Sequence, residues 1–261
     1  MASEGKLFVQ NEFQVQARKD KQQHKIEKRI AKRIKEEKKY KPIVDKLIQK
    51  YRRSYTVGEE IFNAISHGLG ALLAIAGLVL LIVFAARSGQ GIQLAAALVY
   101  GISLILEYTA STLYHAIQHP KAKAVFRVLD HSCIYLLIAG SYTPFALITL
   151  QEHHGLLIFA LVWAIALIGI LVESFWREKP KWINVVVYLA MGWIVVWKIA
   201  VLWQLLAPVA FWLLLAGGLA YSLGTIFYLL KDIRYMHSIW HIFVLAGSIL
   251  QYFVVLLFVI G

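Results

Sequence analysis

The sequence has little charge and almost no cysteine. Only 16% of its 261 residues are Asp, Glu, Lys or Arg, whereas 59% are apolar. Soluble domains are about 45–50% apolar, so this composition argues against a water-soluble globular protein. The single cysteine, Cys133, excludes both an intrachain disulfide and a zinc cluster built from cysteines.

The charge that is present is concentrated near the N-terminus. Residues 1–57 contain 17 Lys and Arg against 7 Asp and Glu, while residues 58–261 contain 10 against 8. The net charge of +12 therefore belongs mostly to the first segment. The sequence predicts a basic cytoplasmic tail over residues 1–57 and a membrane domain over residues 58–261.

Seven apolar runs are long enough to cross a bilayer, for which a helix needs about 20 mostly apolar residues. They cover residues 61–85, 92–116, 128–150, 154–172, 183–203, 208–230 and 237–260. We therefore expect an all-α integral membrane protein with a bundle of seven transmembrane helices. Because no signal-peptide pattern precedes the first run, we expect the first transmembrane helix to direct insertion.

The distribution of Lys and Arg among the loops predicts the orientation. These residues occur before span one and in the loops between spans two and three, four and five, and six and seven. The remaining loops contain only Arg87. Since cytoplasmic loops carry an excess of Lys and Arg, we expect a plasma-membrane protein with its N-terminus in the cytoplasm and its C-terminus outside.

The tail from Lys25 to Tyr51 has an amphipathic pattern. Apolar residues recur every four positions on both sides of Pro42, with basic residues between them. Such a helix binds anionic lipid of the inner leaflet, or it is a solvated charged helix that only enforces topology. Both interpretations remain open. The tail lacks the interleaved aromatics of a nucleic-acid-binding segment, so we expect no nucleic-acid partner; the sequence does not predict an oligomeric state.

Ionisable residues inside membrane spans are costly and are therefore candidates for function. In the predicted topology, four different spans bring such polar residues to one layer near the cytoplasmic face. They are Glu60, Asn63, His67, Ser111, His115, Asp130, His237 and His241. Glu107 lies one turn deeper, on the same helical stripe as Ser111 and His115.

The spacing of the histidines predicts a metal site. His237 and His241 are four residues apart and therefore project from one helix face, at the same predicted depth as His115. Three histidines with a nearby carboxylate are the ligand set of a catalytic zinc ion that keeps one position open for water. Asp130 could then orient that water or accept its proton, and Ser111 could polarise a substrate carbonyl.

Two alternatives compete with the metal site. A buried proton relay could use the same groups without a metal. For His67, and for His131 at the start of span three, a packing role is favoured over metal binding.

Several motifs resemble one known family. Residues Glu60–His67 resemble the E-x-x-N-x-x-[ST]-H opening of the progestin and adiponectin receptor superfamily, and Ser111–His115 is similar to its S-x-x-x-H element. Leu129–His131, Ala139–Phe145 and His237–His241 resemble the bacterial hemolysin III branch. The resemblance covers residues 58–261.

The resemblance implies a seven-helix bundle with a cytoplasmic N-terminus. It also implies a zinc ion near the cytoplasmic surface, bound at His115, His237 and His241, with Asp130 holding the zinc water and Ser111 beside it. Animal members of the superfamily are linked to ceramide-type amide hydrolysis and bacterial members to membrane fluidity. The branch name reflects a cytolytic assay.

Three functions follow as hypotheses. The first is a zinc-dependent hydrolase of a lipid amide or ester, with Glu60, Asn63, His67 and Glu107 as a supporting polar cluster. The second is a non-enzymatic sensor or membrane-homeostasis factor in which zinc is structural. The third, a secreted cytolytic pore, is less favoured because the polar residues extend only about halfway across the membrane.

Overall fold

The structure is a computed structural model that describes residues 28, 33–34, 36–41, 55–176 and 179–261. It divides the chain into two units, Met1–Ser54 and Tyr55–Gly261. The described residues of the first unit are helical and exposed. Most of the amphipathic helix predicted from Lys25 to Tyr51 lies outside the described residues.

The described part of the second unit consists of helices joined by short links. The α-helices are α1 (Val57–Ser88), α2 (Gly91–Ala116), α3 (Pro120–Pro144), α4 (Gly155–Phe175), α5 (Lys181–Gly192), α6 (Ile199–Leu205), α7 (Pro208–Leu229) and α8 (Met236–Val254). Turns of π-helix extend α3 over Phe145–Thr149 and α8 over Val255–Ile260, and a 3₁₀ segment, Ile194–Lys198, joins α5 to α6.

Within the described residues, seven helical segments are long and apolar enough to cross a membrane, which confirms the predicted all-α architecture. They are Val57–Ser88, Gly91–Ala116, Pro120–Thr149, Gly155–Phe175, Lys181–Leu205, Pro208–Leu229 and Met236–Ile260. Several extend beyond the apolar runs, because helices continue through polar residues until a capping residue ends them.

The helix boundaries follow from local sequence signals. The Thr56 hydroxyl accepts a hydrogen bond from the Glu59 N–H at 3.3 Å, and the Glu59 carboxylate accepts one from the Thr56 N–H at 2.8 Å, which is a capping box. Gly89 ends α1 with φ of 69°, a left-handed conformation that glycine adopts without steric cost. Pro120 and Pro208 begin α3 and α7, where a backbone N–H is not needed.

Close helix packing closes the bundle. The helices from α1 to α4 each pack on the next, α7 packs on α8, and α8 contacts α1. A Cβ at Gly140 of α3 would lie 2.1 Å from Ser103 Oγ of α2, and one at Gly70 of α1 would lie 2.6 Å from the Tyr108 ring of α2. Small residues let membrane helices approach this closely. The packing gathers the first turns of α1 and α8 and the last turn of α2 at one end of the bundle.

The fifth span is not a continuous α-helix. Its 3₁₀ segment interrupts the apolar run predicted over residues 183–203. The hydroxyl of Tyr142 in α3 donates to the Gly192 carbonyl at 2.7 Å and accepts from the Val195 N–H at 2.9 Å. Because backbone polar groups inside a bilayer need partners, this one hydroxyl stabilises the break.

Candidate metal centre

Three buried histidines converge at this end of the bundle. His115 lies at the C-terminal end of α2, while His237 and His241 lie in the first two turns of α8. Their ligand nitrogens all lie within 4.8 Å of one another, and the two α8 Nε2 atoms are 3.2 Å apart. Two nitrogens bound tetrahedrally at zinc are about 3.3 Å apart. The three side chains therefore form a group that could hold a metal ion.

A carboxylate orients His115. Glu60 Oε2 lies 2.6 Å from His115 Nδ1, and Glu60 Oε1 lies 2.8 Å from Lys123 Nζ. With its Nδ1–H donated to Glu60, His115 directs the lone pair of Nε2 toward the other two histidines. This Nε2 is buried and has no hydrogen-bond partner in the described part of the chain. Such a carboxylate–histidine pair is typical of metal ligands, so the residues fit a divalent ion such as zinc.

Polar side chains of α1 tie the two ligand helices together. Asn63 is fully buried, and its Oδ1 accepts a 2.6 Å hydrogen bond from the Ser238 hydroxyl of α8. The Ser66 hydroxyl donates to the Asn63 carbonyl at 3.0 Å and lies 3.4 Å from His241 Nδ1. The sequence analysis identified Asn63 as a candidate. Ser66 appeared there only as the [ST] position of the first motif, and Ser238 was not a candidate.

His67 lies behind the three clustered histidines. Its ring stacks on His241 with centroids 3.6 Å apart, and it meets the Tyr108 ring edge-on at 5.1 Å. Neither ring nitrogen has a hydrogen-bond partner among the described residues. His67 is outside the three-nitrogen group, and its contacts support the ring of one ligand.

The start of α8 is held by a buried carboxylate that the sequence analysis did not single out. Tyr235 adopts a left-handed conformation with φ of 60°, two residues before His237. Its N–H donates to Glu59 Oε1 at 2.8 Å. Since Glu59 also forms the capping box of α1, the first turn of α1 determines where α8 begins. The T-x-x-E pattern could have identified the cap but not this contact with α8.

Tyr55 covers the cluster. Its ring stacks on His237 with centroids 4.9 Å apart and lies 5.6 Å from the His115 ring. Burial raises the pKa of the Tyr55 phenol well above its usual value, and the nearby charges of Asp130 and Glu60 add to the shift. Tyr55 is therefore a neutral cover over the ligands, and the sequence analysis missed it.

Asp130 and Ser111 are both buried, on different helices. Asp130 of α3 is 6% exposed, and its charge acts on Tyr55, the residue stacked on His237. Ser111 is 1% exposed and lies one turn before His115 on α2. In the described part of the chain its Oγ has no hydrogen-bond partner.

His131 belongs to a second polar cluster. Its Nδ1 lies 2.9 Å from Glu173 Oε1, and Asn184 Nδ2 donates to Glu173 Oε2 at 3.0 Å. Lys179 forms an ion pair with the same carboxylate. This cluster joins α3, α4 and α5, so the packing role expected for His131 is the one that its contacts support. Neither Glu173 nor Asn184 was a candidate in the sequence analysis.

Glu107 is buried but is not part of the histidine cluster. It is 2% exposed, and in the described chain its Oε2 has no hydrogen-bond partner. On α2 it lies two turns deeper in the bundle than His115. The side chain lines an internal cavity instead.

Comparison with known proteins identifies relatives of this chain. A family profile described as "Haemolysin-III related" matches residues 55–252. The chain is 45% identical to "Hemolysin-3" of Bacillus cereus over 209 residues, covering 80% of this chain and 95% of the relative. It is 44% identical to "Hemolysin-3 homolog" of Bacillus subtilis (strain 168) over 204 residues, covering 78% and 96%.

A more distant relative is mammalian. The chain is 28% identical to the human "Monocyte to macrophage differentiation factor" over 165 residues, which is 60% of this chain and 67% of that protein. The family match contains all seven membrane helices, apart from the last residues of α8, and all three clustered histidines. This chain is thus a multi-pass membrane protein of the haemolysin-III related family.

Proposed function

We propose that this protein is a zinc-dependent hydrolase of a membrane lipid amide or ester that contributes to membrane lipid homeostasis. The observation that carries the proposal is the convergence of three buried histidine nitrogens within 4.8 Å of one another. The carboxylate that orients His115 adds support, because such pairs raise the basicity of metal-binding imidazoles.

Each nearby residue has a role in this proposal. His115, His237 and His241 would hold the ion, which when bound supplies a Lewis acid and lowers the pKa of a water molecule toward neutrality. Asp130 orients the attacking water and accepts its proton. The unpartnered Ser111 hydroxyl donates a hydrogen bond to the carbonyl oxygen of the lipid. A positioned proton acceptor such as Asp130 contributes about 10²–10⁴-fold to turnover.

The proposed location is the plasma membrane, with the N-terminus in the cytoplasm. Lys and Arg in the loops at the histidine end of the bundle support this orientation. The metal centre then lies near the cytoplasmic surface. Because Tyr55 covers the cluster, the lipid reaches it from within the bilayer. The basic tail is proposed to bind anionic lipid of the inner leaflet.

A non-enzymatic role with a structural metal is the second candidate. The specific observation in its favour is that the histidine cluster and its polar neighbours connect α1, α2 and α8 through Glu60 and Asn63. A metal ion there would stabilise the bundle without any reaction. Cytolysis, which the names of the Bacillus relatives suggest, is a less favoured third candidate.

The double variant His237→Ala/His241→Ala tests the metal centre. We expect the purified parent protein to contain about one zinc ion per chain and the variant to contain none. His153→Ala, in the loop between α3 and α4, is the matched control and should keep the metal. Zinc retained in the double variant would refute the ligand assignment.

The hydrolase is tested with the same proteins in lipid nanodiscs. Lipid amides and esters are added, and released fatty acid is measured by mass spectrometry. We expect release by the parent and the His153→Ala control, and loss of release in the double variant. Zinc binding without release of fatty acid from any class of lipid would favour the structural role.

A further inference from the structure

The bundle contains two adjoining cavities of about 90 and 70 Å³. They share six lining residues, which are Ser141, Tyr142, Gly192, Trp193, Gly218 and Gln251. The two cavities therefore lie next to each other between α3, the interrupted fifth span, α7 and α8.

The two cavities follow α7. The first is lined by Glu107 and by Trp240, which neighbours His241 in sequence, and the second is lined by Phe211. From Thr225 to Phe211 along α7 the distance is about 21 Å at a rise of 1.5 Å per residue. One leaflet contributes about 15 Å of hydrocarbon to a bilayer, so a single aliphatic chain fits this length.

Glu107 differs from the hydroxyl side chains that line this cavity. The hydroxyls of Ser141, Ser222 and Thr225 each donate to a carbonyl of their own helix, at 2.8, 2.8 and 2.7 Å. Glu107 Oε2 is buried, and no described residue forms a hydrogen bond with it. An unpaired polar group in an apolar site is costly, and a hydrocarbon ligand would not relieve that cost.

We propose that Glu107 is a specificity-determining residue that accepts a hydrogen bond from a hydroxyl or amide N–H on an aliphatic ligand in this cavity. The substrate class that this role implies rests on the proposed hydrolase. The binding of such a ligand at Glu107 does not. Glu107 lies two helical turns from His115, about 12 Å along α2. The recognised group therefore lies deeper in the membrane than the carbonyl that reacts.

Binding of simple chains to the full-length protein in nanodiscs tests the assignment. The probes are 1-hexadecanol and hexadecanamide, which carry a donor, and methyl hexadecanoate and hexadecane, which do not. Retained probe is quantified by mass spectrometry after washing. We expect the parent protein to prefer each donor-bearing chain over hexadecane by about tenfold, and to prefer it over the ester as well. The two donor probes separate hydroxyl from amide recognition.

Variants of the cavity make the test specific. Glu107→Leu should retain all four probes equally, whereas Thr225→Val, in the same lining, should keep the preference of the parent. Glu107→Gln, which preserves size and keeps a carbonyl oxygen as acceptor, should keep the preference for the donor-bearing chains over hexadecane. Metal content and thermal unfolding verify that each variant is folded.

The possible results distinguish the role of Glu107 from the proposed hydrolase activity. Equal retention of all probes by the parent, no retention of any probe, or an unchanged preference in Glu107→Leu would overturn the role of Glu107. Hydrolysis of the lipid amides and esters of the hydrolase assay is followed in the same samples. Preference for the alcohol without hydrolysis of any amide or ester would leave the role of Glu107 standing and remove the hydrolase.

Discussion

Glu60 Oε2 of α1 lies 2.6 Å from His115 Nδ1 of α2, so the first helix of the bundle controls the tautomer of His115. The other oxygen of Glu60 is held by Lys123 of the third helix. The orientation of one imidazole thus depends on three membrane helices. A substitution at Glu60 tests this dependence and leaves all three histidines in place.

Glu60→Gln is expected to weaken metal binding. Glutamine keeps the size of the side chain but loses the charge that holds the Nδ1–H of His115, and loss of such a partner typically lowers metal affinity by about 10–100-fold. Competition with a chelator measures the affinity. Glu152→Gln, at an exposed loop position, is the control and should bind as the parent does. Equal affinity in the two variants would contradict the orienting role.

Asp130→Asn is expected to separate catalysis from metal binding. Asparagine can still form a hydrogen bond with water but does not accept a proton at neutral pH, so turnover should fall by about 10²–10⁴-fold. The three histidines remain, and metal content should be unchanged. Complementation of cells that lack the native protein measures the function of the variant, and its zinc content is measured in parallel. Normal complementation with zinc retained would favour the structural role.

Cysteine labelling is expected to show the C-terminus outside the cell. In a Cys133→Ser background, Gly261→Cys should react with a membrane-impermeant thiol reagent on intact cells. Lys121→Cys, at the start of α3, should react only after permeabilisation. The reverse pattern would refute the orientation predicted from the Lys and Arg distribution.

Deletion of residues 1–50 is expected to preserve insertion and metal content. The deletion removes most of the basic residues of the tail, so any preference for anionic vesicles should weaken. In the intact protein the same preference should decrease with added salt, because salt screens such attraction. Failure of the shortened chain to fold would show instead that the tail is needed by the bundle.

Lys231, in the loop before α8, is expected to be unusually reactive. Burial lowers its pKa from 10.5 to about 8, and the positive charge of Lys181 contributes to the shift. Above pH 8 most of its amine is then neutral, whereas an ordinary lysine remains protonated. Acetylation followed by mass spectrometry should give a midpoint near pH 8, and Lys181→Gln should move that midpoint upward. A midpoint near that of the exposed Lys121 would contradict the assignment.

The membrane architecture and the three clustered histidines could be predicted because each depends on a constraint that sequence displays directly. A span requires about 20 apolar residues, and the spacing of His237 and His241 fixes them on one helix face. Common depth then brought His115 to the same layer. The prediction of these three residues required no knowledge of which helices are neighbours.

Contacts between distant segments could not be predicted in this way. The hydrogen bond from Tyr235 to Glu59 joins residues 176 positions apart, and nothing in the local pattern of either residue specifies the other. The cluster around Glu173 likewise depends on how α4 packs on α3 and α5. The 3₁₀ break in the fifth span leaves the hydropathy unchanged, so an apolar run gives no sign of it.

The stacking of Tyr55 on His237 has a kinetic consequence. In the proposed metal centre, this ring would have to move before water or a chelator could reach a metal on the His237 side. Metal exchange would then be gated: the opening of one aromatic side chain would set its rate, and the three nitrogens would set the affinity. A metal bound there would exchange slowly even if its affinity were moderate.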